Sequence, residues 1–359
     1  MGRRRWVGTG VGAALVGAVG VGLLVAPTGA SAAPVLPPVS PEDLVASVMA
    51  AQPAALQGTV TVDNNLGLPA LPGLPQAANG DSEIRVWSGG EGRKRVAIPS
   101  SEGEKTLVSD GTTRWAYDST DRTAVKVPEG ADGPPDGTRP GGVTSDPSSD
   151  PVGASGELVG ELRRSSTVTV DGTAEVAGRA AYTLVLTPLP TERTLLRQVR
   201  VAVDAESRMP LQLTVLANGS AEPALQIGFD DVTFGPQDPS LFTFTPPPGT
   251  TVTDGEQGRP DGDRQGPPAD AQKIGDGWDT VIVGKLPEQG APAAPGDAAD
   301  RPEGAPDASA LSALGTPVSG PWGSGRVITT AVATVVVADD GRIAAGAVPQ
   351  QVLTEALAR

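Results

Sequence analysis

An almost unbroken two-residue alternation of apolar and polar side chains runs through residues 168–252. A period of two, carried by β-branched and aromatic residues, is typical of strands that bury one face. Asp171-Gly172, residues 204–210 and Asn218-Gly219 separate the alternating runs, and an Asp-Gly or Asn-Gly pair between two strands is a strong hairpin signal. The stretch therefore predicts the main part of a curved antiparallel sheet.

The composition disfavours several classes of function. The 359 residues include no cysteine and no histidine, so the usual acid/base group near neutral pH and the commonest metal ligand are both missing. We therefore expect a protein that is not an enzyme and that uses no cofactor and no metal. The net charge of −15 repels phosphate backbones, which predicts that nucleic acid is not a partner.

Residues 1–32 have the pattern of an export signal. Arg3-Arg4-Arg5 precede an uncharged apolar stretch over residues 7–25, and Ala30-Ser31-Ala32 is a small-residue cleavage pattern. The apolar stretch is also just long enough to serve as an uncleaved membrane anchor. Both alternatives predict that the folded part lies outside the cytoplasm, either secreted or at the cell surface.

Glycine and proline, with 47 and 36 residues, are concentrated in a few tracts of the chain. Residues 128–156 and 288–307 are predicted to be disordered insertions, because they hold too few apolar side chains to bury. We predict a main β domain over residues 33–253, an acidic linker over residues 254–276 and a C-terminal extension over residues 277–359. The sequence leaves open whether the extension is a small α+β appendage or the edge of the main sheet.

Local signals predict further elements on both sides of the alternating stretch. Ser40 before Pro41 is a favourable helix start, so a short helix is expected over residues 41–51. Strands are expected over residues 55–63 and, as a meander, over residues 83–87, 94–98, 105–109, 113–117 and 124–127. In the extension we expect a strand over residues 278–283, a helix over 308–314, a hairpin of 325–337 with 342–348, and a helix over 349–357.

The predicted sheet of about ten strands, curved around one or two helices, encloses an apolar space that is either a packed core or a ligand cavity. Seven strand residues are predicted to line this space, with two helix residues as a lid. The strand residues are Val60, Val62, Ile84, Val86, Leu184, Leu213 and Ile227, and the lid residues are Leu44 and Val48.

Two other features offer weaker sites. The apolar, proline-rich loop over residues 66–75 either folds back over the core or forms a contact with a ligand or membrane. Asp230 and Asp231 are adjacent on a strand, so their side chains point to opposite faces and do not predict a catalytic pair. No catalytic residue and no metal site is therefore predicted.

Several segments together resemble the LolA-like, MucB/RseB N-terminal-like proteins of high-GC Gram-positive bacteria. The resemblance extends over residues 41–252, and the tail resembles the C-terminal extension of the same group. The segments that carry it are Ser40-Pro41-Glu42-Asp43-Leu44-Val45, Gln57-Gly58-Thr59-Val60, Trp115-Ala116-Tyr117-Asp118, Val125-Lys126-Val127, residues 176–184, Val201-Ala202-Val203-Asp204, Met209-Pro210-Leu211, residues 242–249, residues 320–326 and Asp339-Asp340-Gly341-Arg342.

The resemblance implies an unclosed β half-barrel with helices on its concave side and an apolar cavity for acyl chains. LolA-type proteins ferry lipoproteins, whereas RseB-type proteins sense lipid or envelope stress and restrain an anti-sigma factor. This chain differs from both in its insertion over residues 128–156. We expect a monomer that binds acyl chains of a lipid or lipoprotein. The alternative is an RseB-like regulatory module that binds a membrane protein, such as an anti-sigma factor or a transporter partner.

Overall fold

A computed structural model describes residues 34–51, 55–67, 80–128, 159–160, 162–255, 271–285 and 315–358 of the chain. The predicted export signal, most of the loop over residues 66–75, the two predicted insertions and the predicted helix over residues 308–314 lie outside the described residues. Within the described residues, no helix combines the length and apolarity needed to cross a membrane.

The described part of the chain contains a main sheet of twelve strands. The strands are β1 (Leu56–Asn64), β2 (Gly80–Gly90), β3 (Arg93–Pro99), β4 (Glu104–Asp110), β5 (Thr113–Asp118), β6 (Thr123–Pro128), β7 (Ser166–Val176), β8 (Arg179–Pro188), β9 (Leu196–Asp204), β10 (Pro210–Ala217), β11 (Pro223–Phe234) and β12 (Thr251–Asp254). Their order is β12-β6-β5-β4-β3-β2-β1-β11-β10-β9-β8-β7.

The main sheet is strongly curved but not closed. Two antiparallel meanders, β1 to β6 and β7 to β11, are joined where β1 pairs with β11. Strand β7 contacts β11 although three strands separate them, so the sheet curls. Its two outermost strands, β7 and β12, are not paired with each other, which confirms the predicted unclosed half-barrel. Only β12 is parallel to its neighbour, β6.

The predicted turn at Asp171-Gly172 is wrong. These residues form a bulge inside β7, where the pairing with β8 shifts between Val170 and Thr173. The hairpin turn lies instead at Ala177-Gly178, whose φ angles of 52° and 71° are those of a type I′ turn. A glycine at positive φ suits a bulge as well as a turn, so Gly172, at φ 75°, does not distinguish the two.

The C-terminal extension, together with residues 272–274 of the predicted linker, forms a second, separate sheet of six strands. The strands are β13 (Gln272–Ile274), β14 (Val281–Lys285), β15 (Thr316–Gly320), β16 (Gly323–Thr329), β17 (Thr334–Ala338) and β18 (Arg342–Gly346), and helix α2 (Gln350–Leu357) follows. The order is β13-β14-β18-β17-β16-β15. The extension is therefore a small α+β unit with its own core, which contains Val281, Trp322, Val336 and Leu353.

Two strand predictions for this extension need correction. The predicted strand over residues 278–283 begins only at Val281, and Trp278 lies in the turn before it. The predicted strand over residues 325–337 is two strands, because a turn separates Thr329 from Thr334. In that turn the Oγ1 atom of Thr330 accepts a hydrogen bond from the backbone N–H of Ala333 over 3.0 Å, which stabilises the reversal.

Helix α1 (Pro41–Ala50) confirms the predicted N-terminal helix. The Ser40 hydroxyl oxygen accepts a hydrogen bond from the backbone N–H of Asp43 over 3.0 Å and so caps the first turn. Leu44, Val45 and Val48 form its buried face. The preceding residues 34–39, here called the strap, are bound to the main sheet by hydrogen bonds from Thr173 Oγ1 to Pro34 O and from Tyr182 Oη to Pro37 O.

Candidate functional site

The pairing register places the seven predicted strand residues on one face of the main sheet. Directly paired residues point to the same side, and two unbroken series of such pairs connect the predicted residues. The first series is Leu184–Val201–Leu213–Ile227–Val62, and the second is Phe229–Val60–Ile84. Val86 lies two residues beyond Ile84 on β2 and therefore shares its side. This side is called the inner face below.

Two groups of buried side chains contain the inner-face residues named above. The helix-covered cluster consists of Leu44, Val45, Val48, Val159, Leu162, Tyr182, Leu184, Leu186, Val199, Val201, Val203, Leu213, Val215 and Trp278. The central cluster consists of Leu56, Val60, Ile84, Val86, Val96, Val176, Ala181, Ala202, Met209, Leu211, Ile227 and Phe229, and Val62 packs against it. Leu225 packs against both clusters, so the apolar surface is continuous.

In this structure the protein's own side chains fill the space in front of the predicted lining. Leu44 and Leu184 have no exposed surface, Val60 is 1% exposed, and the others are buried except for half-buried Val62. In this structure the predicted lining is therefore part of a packed core. A ligand can reach these residues only if a covering element moves, and their role in binding a ligand remains a prediction.

The inner face becomes more exposed toward the β6 side of the sheet. Val86, Val96, Leu107, Ala116 and Val125 are consecutive cross-strand partners along one row. Val86 and Val96 are buried and Leu107 is half-buried, whereas Ala116 and Val125 are exposed, Val125 by 38%. An apolar row thus leads from the central cluster to the surface.

The outer face of the same strands is covered by an aromatic layer. Trp115 and Tyr117 share this face, and their ring centroids lie 5.4 and 5.5 Å from that of Phe244. Arg85 and Arg95 each lie about 6 Å from the Trp87 ring. Their guanidinium groups also bind Glu104 and the carbonyl of Leu241, so these cations have structural partners.

A small acidic group lies on the outer face, where Asp63 pairs across strands with Asp81 and has Asp230 nearby. Asp63 also accepts a hydrogen bond from Gln226 Nε2 over 3.3 Å. Partial burial and the charges of Asp81 and Asp230 raise the pKa of the Asp63 carboxyl above its usual value. Among the residues that the structure describes, no group of three or more acidic side chains is arranged to hold a metal ion.

Replacing Asp63 with asparagine should raise the melting temperature at pH 7 by about 1–2 °C. Because its folded-state pKa is raised, ionisation of Asp63 destabilises the fold as the pH rises through that pKa, and below about pH 4 the carboxyl is protonated in both states. The gain should therefore disappear in acid, as thermal unfolding followed by circular dichroism at several pH values will show. Asp121→Asn, in an exposed turn, is the control; an equal gain there would indicate a general charge effect.

No protein-family model matches the chain, and no curated protein does. Solved structures that are similar include a chain of the MucA/MucB complex of Pseudomonas aeruginosa, with a TM-score of 0.46 and 16% identity over 88% of this chain and 96% of that chain. LprF from Mycobacterium bovis has a TM-score of 0.30 and 12% identity over 55% of this chain and 96% of that chain. The LolA superfamily protein NE2245 from Nitrosomonas europaea has a TM-score of 0.26 and 11% identity over 58% of this chain and 99% of that chain.

Sequence reasoning missed several members of the site. Trp278 belongs to the helix-covered cluster and is 2% exposed, although it comes from the second sheet. The only signal in the sequence was a tryptophan at the end of an acidic, glycine-rich tract. Val201, Val199 and Leu186 were also absent from the predicted lining, although their alternation with polar neighbours indicated the same face.

Proposed function

We propose that this protein is an exported, non-enzymatic binding protein that holds acyl chains of a lipid or lipoprotein against the inner face. The proposal rests on which segments cover the helix-covered cluster. The ten-residue helix α1, the short strap and a few separate side chains, Val159, Leu162 and Trp278, lie over it, rather than a continuous second sheet. Such a cover can be displaced without disrupting the pairing of the main sheet.

The free energy gained by burying the apolar face of α1 is similar in size to that gained by burying a long acyl chain. Helix α1 buries Leu44, Val45 and Val48, which at about 1.5–3 kcal/mol each contribute roughly 5–9 kcal/mol. An acyl chain contributes about 0.8 kcal/mol per buried methylene, so about ten methylenes offset the loss of the helix contacts. A long acyl chain can therefore replace α1 reversibly.

The exposed end of the inner face supports the same proposal. The apolar row from Val86 to Val125 gives a hydrocarbon chain a continuous path from the surface to the central cluster. Because the row and the two clusters are apolar, a hydrocarbon chain can bind there without a polar contact. Binding by burial alone would admit acyl chains with different head groups.

Native mass spectrometry of the purified protein tests this function. We expect a population that carries lipid, and titration with the fluorescent fatty acid cis-parinaric acid should show saturable binding that palmitate reverses. An empty protein that binds neither compound, but that captures one membrane protein from detergent extracts, would contradict the proposal. That result would favour a regulatory module with a membrane-protein partner.

A further inference from the structure

The second sheet inserts an aromatic side chain into the apolar surface that an acyl chain would use. Trp278 lies in the turn between β13 and β14, and its ring belongs to the helix-covered cluster. A tryptophan of this kind buries about 150–250 Å² of surface. Part of the cover on the inner face is thus supplied by the C-terminal extension.

Hydrogen bonds to Ser166 and Glu192 hold Trp278 in this position. The indole N–H donates to Ser166 Oγ over 2.8 Å, and the Ser166 hydroxyl in turn donates to the carbonyl of Leu162 over 2.6 Å. The backbone N–H groups of Trp278 and Asp279 donate to Glu192 Oε2 over 2.8 and 3.3 Å. The ring is therefore hydrogen-bonded to β7, and the backbone to the loop between β8 and β9.

Apart from Trp278, only one side chain of the second sheet packs against the helix-covered cluster among the described residues. This is Val332, which is half-buried in the turn between β16 and β17, beside a hydrogen bond from Ala331 N to Leu66 O. The two sheets also share polar contacts. They include the Arg193–Glu355 ion pair, both of whose side chains are at least 41% exposed, and the hydrogen bonds of Thr194 and Leu195 to Ala347 O.

From this arrangement we infer that Trp278 is a displaceable plug, through which occupancy of the inner face controls how firmly the second sheet is attached. The inference rests on the proposed function. An acyl chain and the indole ring compete for the same apolar surface, so binding of one weakens binding of the other. Filling of the site therefore releases an apolar contact of the second sheet, and the exposed Arg193–Glu355 ion pair adds little to its attachment.

Competition has a measurable consequence for affinity. Without the plug, a larger fraction of molecules is open to ligand, so Trp278→Ala should bind palmitate roughly tenfold or more tightly than the wild type. Trp322→Ala is the matched control, because Trp322 is a buried tryptophan that, among the residues described, belongs to the core of the second sheet and not to the helix-covered cluster. It should lose stability without any gain in affinity.

Fluorine NMR of protein labelled with fluorotryptophan observes the plug directly and does not depend on the stability of the alanine variant. Trp278→Phe, which retains an aromatic ring, assigns the Trp278 resonance. Palmitate should shift that resonance to a solvent-exposed position and leave the Trp322 resonance unchanged. If palmitate binds while the Trp278 resonance stays in place, the plug is refuted and the proposed function stands. If palmitate does not bind the wild type or Trp278→Ala, the proposed function and the plug both fail.

Discussion

Replacing Leu44 with alanine should weaken the fold and at the same time tighten the binding of acyl chains. Leu44 has no exposed surface and packs in the helix-covered cluster, so its truncation should lower the free energy of unfolding by about 2–5 kcal/mol. The same loss of packing makes helix α1 easier to displace from the main sheet. Each 1.4 kcal/mol or so saved in opening improves the apparent affinity about tenfold. Urea denaturation and titration with cis-parinaric acid measure the two effects separately.

The control for this prediction is Leu353→Ala. Leu353 also has no exposed surface, but it belongs to the core of the second sheet and contacts neither cluster of the inner face. It should lose a similar amount of stability and keep the wild-type affinity. An unchanged or weaker affinity in Leu44→Ala would mean that α1 is a permanent part of the core rather than a movable cover.

Asp204→Asn should be among the most destabilising polar substitutions, at about 3–5 kcal/mol. The Asp204 side chain is 1% exposed and accepts hydrogen bonds from Arg179 Nε and Nη2 over 2.6 and 2.9 Å. It also accepts from the backbone N–H and the hydroxyl of Ser207 over 2.7 and 2.8 Å. The asparagine cannot retain this bidentate ion pair, and it leaves part of the Arg179 guanidinium without a charged partner.

The effect of this substitution should depend on pH. Burial by itself raises the pKa of the Asp204 carboxyl, but the hydrogen bonds from Arg179 and Ser207 outweigh burial and hold the pKa below its ordinary value. The carboxylate therefore stabilises the fold fully above about pH 4, and this contribution is lost as the pH falls through the folded-state pKa. The stability difference between wild type and Asp204→Asn should shrink in that acidic range, as urea denaturation at a series of pH values can show.

Glu206→Gln provides the comparison for Asp204. Glu206 binds the same guanidinium over 2.9 Å, but its side chain is 84% exposed. An exposed ion pair contributes at most about 1 kcal/mol, so this variant should be close to wild type. Equal losses in the two variants would show that burial does not distinguish the two carboxylates.

Local sequence signals were sufficient for most of the strands, for α1 and for the composition of the inner face. Alternation along β1, β2, β8, β10 and β11 identified the side of each strand that is apolar, because neighbouring residues on a strand point to opposite faces. The Ser40 cap defined the start of α1 within a single turn. These signals act over a few residues, so they need no knowledge of the remainder of the chain.

Only the tertiary structure decided how those apolar faces are covered. Asp171-Gly172 has the sequence of a turn, yet the strand continues through it as a bulge, because pairing with β8 on both sides of the bulge outweighs the local turn preference. Trp278 fills part of the inner face from another sheet, and the aromatic residues near Phe244 cover the outer face. Alternation determined by itself that one face of the main sheet would be apolar. Which segments cover that face was decided by long-range packing, since the free energy of burial depends on the area covered and not on the distance along the chain.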